Sequence, residues 1–192
     1  KYSILIPTFN KAEYLKYTIQ SVLNSNYKNF EVIISDDFST DTTNNLITNL
    51  NDDRVRLIKP PFKLRHVKNY EFLLKHAKGE WITILGDDDG LLPNFFEKID
   101  YELIKFPNAE VISTKPAFYY WHGVEDKYGD RVCDYQNFFE KSKIINSKLT
   151  LFLCLAGLFT RTNVPMLYTT GLVKKSLIKK IKQKSNNFFF HG

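Results

Sequence analysis

Cysteine, glycine and long apolar runs are all scarce in this chain, and each scarcity excludes something. Of 192 residues only two are cysteine. Cys133 and Cys154 lie far apart with no metal-type spacing, so a cysteine-built metal module is excluded, and two thiols in a reducing compartment are expected ahead of one disulfide. Eight glycines are present, and none falls in a Gly-x-Gly-x-x-Gly or Gly-x-x-x-x-Gly-Lys pattern. Phosphate cradled by a glycine-rich turn is therefore not expected. No apolar stretch approaches the roughly 18 residues of a membrane span. The longest, at residues 149–159, is short and is followed by Arg161. No basic-then-apolar leader opens the chain, which starts at Lys1 instead of a methionine.

What is abundant is aromatic bulk, with 16 Phe and 11 Tyr in a chain that is 43% hydrophobic and 25% charged. That is a folded globular composition, not a disordered one. The net charge of +6 is local. Lys174, Lys175, Lys179, Lys180, Lys182 and Lys184 carry it with no acid among them. They form one face of a helix whose other face is Val173, Leu177, Ile178 and Ile181. A solvated face is the plain reading, and docking on anionic lipid headgroups the functional one. Nucleic-acid binding is not expected, because no groove-reading motif accompanies the lysines.

Strands and helices alternate through the first two-thirds. Strands are expected at residues 2–6, 30–35, 55–58, 81–85 and 111–114, and helices over 12–24, around Leu46–Leu50, up to Ala77, and from Pro93 through Leu103. Ser39 and Thr40 are expected to cap the second helix, Asn69 the third, and Gly79 to close that third helix at its C-terminus. This pattern implies right-handed βαβ units and a largely parallel sheet in an α/β fold. After Ala117 the pattern loosens into an aromatic segment, Tyr119-Tyr120-Trp121, in which packing and sugar stacking are equally open.

Three polar clusters fall where strands end: Pro7-Thr8-Phe9-Asn10, Asp36-Asp37 with Ser39-Thr40-Asp41, and Gly86-Asp87-Asp88-Asp89. In a parallel sheet these ends share one edge, where α/β folds collect ligands. Adjacent carboxylates repel, and a hard divalent cation relieves that repulsion. Phosphates would then be held through metal, with carboxylates at the second strand end taking a base or ribose hydroxyl.

Those motifs carry a resemblance. Ser-Ile-Leu-Ile-Pro-Thr-Phe-Asn-Lys at 3–11, Val-Ile-Ile-Ser-Asp-Asp-Phe-Ser-Thr-Asp at 32–41 and Ala-Lys-Gly-Glu-Trp-Ile-Thr-Ile-Leu-Gly-Asp-Asp-Asp at 77–89 resemble the family 2 glycosyltransferases, in order and spacing over residues 2–115. The resemblance implies a GT-A (Rossmann-like) three-layer α/β/α sandwich with a mostly parallel central sheet. It implies one catalytic domain over 1–192, with a nucleotide-sugar part at 1–115 and an acceptor-side part at 116–192. The implied activity is inverting transfer of a sugar from a nucleoside diphosphate donor, a UDP-sugar favoured, to a glycan or lipid-linked acceptor, with Mn²⁺ or Mg²⁺. Bacterial surface polysaccharide or glycolipid synthesis is implied, in the cytoplasm or on the inner membrane face.

Carried over by position, Asp37 pairs with the nucleobase beside Asp36, and Pro7, Thr8 and Phe9 line the base and ribose pocket. Asp88 is the principal metal carboxylate, Asp87 faces ribose or metal, and Asp89 orients the loop or binds through water. The chain departs from the family at Gly86, where an Asp is common, so which two aspartates touch metal stays open. Arg65, His66 and Lys68 could neutralise a donor phosphate, and His191 is a candidate third metal ligand. The acidic general base is expected beyond Gly192, with Glu125 and Asp126 as candidates within the chain. A non-catalytic nucleotide- or glycan-binding module is the alternative. A sugar nucleotidyltransferase is disfavoured, because Pro7-Thr8-Phe9-Asn10-Lys11 lacks glycine.

Overall fold

The computed structural model describes residues 1–114, 118–120, 131–133 and 171–185, with backbone alone for 118–120 and 131–133. The chain divides into two compact units, Lys1–Ile112 with Leu167–Gly192, and Ser113–Met166. In the second, β6 (Phe118–Tyr120) and β7 (Arg131–Cys133) pair as an antiparallel hairpin.

The first unit is built on β1 (Tyr2–Thr8), β2 (Phe30–Asp36), β3 (Val55–Ile58), β4 (Trp81–Ile84), β5 (Val111–Ser113) and β8 (Gly171–Lys174), in the order β3-β2-β1-β4-β8-β5. The first four strands are parallel. β8 runs antiparallel beside β4, pairing Trp81 with Lys174 and Ile82 with Val173. Among the described residues five helices accompany the sheet: α1 (Ala12–Leu23), α2 (Thr43–Thr48), α3 (Arg65–His76), α4 (Phe95–Lys105) and α5 (Lys175–Ser185).

Strand periodicity of two sorts the core into two layers. Ile4, Ile6, Val32, Ile34, Trp81 and Leu85 point to one face and pack with Leu15, Ile19 and Val22 of α1 and Phe96 and Ile99 of α4. Leu5, Ile33 and Ile82 point to the other and pack with Leu73 and Leu74 of α3 and Ile178 of α5. This is the expected α/β/α sandwich. Phe96 anchors α4, its ring 5.1 Å from Tyr2, 5.1 Å from Phe30 and 5.3 Å from Tyr27.

Several local expectations are corrected. α3 begins at Arg65, so Asn69 lies inside the helix and caps nothing. Its buried amide instead accepts from Ser35 Oγ at 2.5 Å, tying α3 to β2. Ser39 and Thr40 do not cap α2; Asp41 Oδ1 accepts the Thr43 N–H at 3.0 Å there, while its Oδ2 takes the Ala12 N–H at the start of α1. Gly79 does not close α3, whose C-cap is Ala77. It is glycine because a β-carbon there would lie 2.6 Å from the Ser3 backbone nitrogen. Val173 belongs to β8, not to the last helix.

The lysines of β8 and α5 are largely engaged by protein. Lys174 reaches Glu80 at 3.8 Å, Lys175 the Ala77 carbonyl at 2.7 Å, Lys180 Glu110 at 3.0 Å and Lys182 Glu71 at 2.7 Å. Lys179 and Lys184 are exposed.

Asp100 of α4 gathers donors from three side chains. Lys1 Nζ donates at 2.7 Å, Tyr27 Oη at 2.8 Å, and Tyr2 Oη through a short bond. Burial opposes charge on this carboxylate, but the three donors outweigh it and hold its pKa below the usual value. A depressed folded-state pKa gives stability that is present above the unfolded value of about 3.9 and is lost as pH falls through the folded one. Melting temperature is expected to drop between about pH 5 and pH 2. Asp100→Asn should flatten that acid limb in thermal melts across the pH series.

Candidate functional site

The parallel register sets the C-terminal ends of β1, β2 and β4 on one edge, because Thr8 pairs with Asp36 and Leu5 with Ile84. The three polar clusters converge there, as expected. Thr8 is buried and donates its Oγ1 proton to Asp87 Oδ2 at 2.9 Å, joining the first cluster to the third. Pro7 is buried beside it, while the Phe9 ring is 41% exposed.

The second cluster is turned largely onto backbone. Asp36 and Asp37 are 2% and 4% exposed. Asp36 Oδ1 accepts the Ser39 N–H at 2.9 Å. Asp37 accepts the Leu64 N–H on Oδ1 at 2.7 Å and the Arg65 N–H on Oδ2 at 2.8 Å. Arg65 has φ +62°, a left-handed conformation that favours glycine, so this carboxylate holds a strained residue in place. Sequence reasoning missed this anchoring role, since its partners are main-chain groups. It also missed Lys63, whose Nζ sits 3.5 Å from the Phe9 ring centroid. A pocket of about 650 Å³ is lined by residues 62–68, with Lys63, Arg65 and Lys68 supplying positive charge.

The third cluster is the electrostatically stressed one. Burial is the main cause of the raised pKa of Asp87; the Thr8 bond lowers it, Asp88 raises it and Lys11 lowers it. Burial also leads at Asp89, with Asp88 and Asp87 adding repulsion. Asp88 is exposed, and Lys11 Nζ reaches it at 3.4 Å. Lys11 Nζ also lies 5.0 Å from the Tyr14 ring. A β-carbon on Gly86 would land on Asp89 Oδ2 and lie 3.2 Å from Asp88 Oδ1. The glycine thus opens the space into which these carboxylates fold, which accounts for its presence where an Asp is common.

The donor set fits a hard divalent cation: oxygen-only carboxylates, two of them carrying charge that burial and neighbours disfavour. Among the described residues no three Asp, Glu, His or Cys side chains gather as a complete cage. Mg²⁺-type ions commonly use one or two protein carboxylates and complete their shell with phosphate and water. Glu125, Asp126, Trp121, Cys154 and His191 lie outside the described residues, as do the side chains of Tyr119, Tyr120 and Cys133.

Comparison with known proteins agrees with this geometry. The profile of Glycosyl transferase family 2 matches residues 3–174, and the chain belongs to that family. It is 39% identical over 95 residues to the GalNAc(5)-diNAcBac-PP-undecaprenol beta-1,3-glucosyltransferase of Campylobacter jejuni, a match covering 48% of this chain and 31% of that protein. It is 38% identical over 87 residues to the UDP-Glc:alpha-D-GlcNAc-diphosphoundecaprenol beta-1,3-glucosyltransferase WfaP of Escherichia coli, covering 45% and 35%. The chain thus spans about a third of the length of these curated relatives. Its fold superposes on S. aureus TarS 1-349 in complex with UDP-GlcNAc with a TM-score of 0.70 at 20% identity, over 95% of this chain and 47% of that one. The GT-A fold is therefore shared. No helix among the described residues is long and apolar enough to cross a membrane.

Proposed function

We propose that this chain is the GT-A catalytic domain of an inverting glycosyltransferase that moves a sugar from a nucleoside diphosphate donor, a UDP-sugar, to an acceptor hydroxyl. The observation that carries the reading is the Thr8–Asp87 hydrogen bond, which brings the β1 motif against the β4 carboxylates on the edge shared with Asp36 and Asp37. In this reading residues 1–115 bind the donor and 116–192 serve the acceptor. The two undecaprenol-diphosphate names among the relatives support a lipid-linked acceptor and a role in bacterial surface glycan or glycolipid assembly. Such an acceptor would place the enzyme at the inner membrane face.

Pro7, Thr8 and Phe9 form the base and ribose wall. Lys63 now covers Phe9, but an exposed cation–π contact is worth about 0.5–1 kcal/mol, and base–aromatic stacking about 1–3 kcal/mol. A nucleobase therefore displaces the ammonium. Each Asp37 oxygen retains a lone pair beyond its backbone bond, and a base N–H can use one. Asp88 and one of Asp87 or Asp89 would hold Mn²⁺ or Mg²⁺, and the bound ion supplies Lewis-acid neutralisation of the leaving diphosphate. Thr8 orients Asp87 through its hydroxyl, and Lys11 adds a positive charge beside Asp88.

Calorimetric titration of UDP is the test. Binding is expected with Mn²⁺ and is expected to weaken by at least about tenfold without it. Absence of binding by UDP, GDP, CDP and dTDP under both conditions would sink the donor-site reading.

A further inference from the structure

Exposed large apolar side chains are few among the described residues, and three of them stand in one place. Phe9 follows β1, Phe38 follows β2 and Phe62 follows β3, at 41%, 51% and 62% exposure. Because these strands are parallel, all three residues rim the same edge of the sheet, the edge that bears the site. The loops that carry the three rings are fastened to one another. The Asn10 N–H donates to Ser39 Oγ at 2.9 Å, and the Thr40 N–H donates to Asn10 Oδ1 at 2.7 Å. Asp37 accepts from Leu64 and Arg65. Phe9, Phe38 and Phe62 thus stand on a braced platform.

Charge on the same platform has one sign where the rings are most exposed. Residues 59–68 contain Lys59, Lys63, Arg65, His66 and Lys68, all exposed, and no acid. Of the acids of the neighbouring loop, Asp36 and Asp37 are buried on backbone N–H groups, and the exposed Asp41 is engaged by the Ala12 and Thr43 N–H groups. Aromatic rings interleaved with cations form the chemistry of an interfacial surface, in which rings enter the headgroup layer and cations pair with anionic lipid.

We propose that this rim, with Phe62 and Phe38 foremost and Lys59 among its cations, docks the domain on an anionic bilayer with the mouth of the site toward the lipid. The proposal goes beyond the donor-site reading and does not depend on it. It also differs from docking through the Lys174–Lys184 segment, four of whose six lysines already have protein partners.

The test is co-sedimentation of the full chain with phosphatidylcholine vesicles, with and without phosphatidylglycerol. Binding is expected only with phosphatidylglycerol and should weaken as salt rises. Phe38→Asn/Phe62→Ser is expected to lower partitioning by at least about tenfold. Asn suits the φ of +66° at residue 38, and the altered side chains are exposed, so folding should be preserved. Lys59→Glu should lower partitioning too, and Lys179→Glu/Lys184→Glu should leave it nearly unchanged. UDP titration of the single variant Phe38→Asn, which lies outside the 62–68 pocket, should match the parent and separates this surface from the donor site. Equal partitioning of the ring variant and parent, indifference to phosphatidylglycerol, or loss confined to the α5 variant would each overturn the proposal.

Discussion

Asp88→Asn is expected to weaken UDP binding in Mn²⁺ by at least about 100-fold while leaving the melting temperature nearly unchanged, since a hard ion with one or two protein carboxylates loses half or all of its protein charge. The stability side of this expectation follows from exposure. The Asp88 side chain is 50% exposed and Lys11 42%, at a separation of 3.4 Å. Such a pair contributes about 0–1 kcal/mol. Asp87 behaves in the opposite way. Burial raises its pKa above the ordinary carboxylate value, so its charged form destabilises the fold above the unfolded pKa of about 3.9. Asp87→Asn should therefore hold or raise the melting temperature near neutral pH even as it removes a proposed metal ligand. Melting curves and UDP titrations on the two variants check both halves. Undiminished UDP·Mn²⁺ binding by Asp88→Asn would remove Asp88 from the metal site.

The sequence announced the sheet and its functional edge because both depend on local pattern. Runs such as Ser3-Ile4-Leu5-Ile6 and Trp81-Ile82-Thr83-Ile84 are apolar enough to be buried on both faces, and the aspartates after β2 and β4 mark where burial ends. What stayed hidden depends on partners distant in the chain. β8 is four residues long and abuts a helix, so Val173 reads as helical; only its pairing with Ile82 makes it a strand. The start of α3 at Arg65 is masked by four polar residues in its first turn and a half, and Asn69 resembles a cap until Ser35 is placed beside it. Gly79 reads as a helix terminator, yet its reason is the close approach of β1. The lysines at 174–184 read as a free cationic face because Glu71, Glu80 and Glu110 are remote in sequence. The site was legible residue by residue, whereas the bonds that orient those residues were not.

Asp37 carries the other large expected effect. Asp37→Ala should destabilise the fold by about 2–6 kcal/mol, because it leaves the Leu64 and Arg65 N–H groups without their acceptor and each such loss costs about 1–3 kcal/mol. The same substitution should weaken UDP binding, since the loop it frees carries Lys63 and forms the 62–68 pocket. Strain and hydrogen bonding can be separated at Arg65. Glycine at a left-handed position relieves about 1–2 kcal/mol of backbone strain, so Arg65→Gly in the Asp37→Ala background should recover that part of stability. It should not recover UDP affinity if Asp37 also meets the base directly. Asp37→Asn preserves one carbonyl acceptor and should fall between parent and Ala in stability. Denaturant unfolding and UDP titration across these four proteins resolve the two roles. Full recovery of both quantities by Arg65→Gly would make Asp37 a loop anchor alone and return base recognition to other groups of the pocket. Recovery of stability without affinity would leave Asp37 in contact with the ligand.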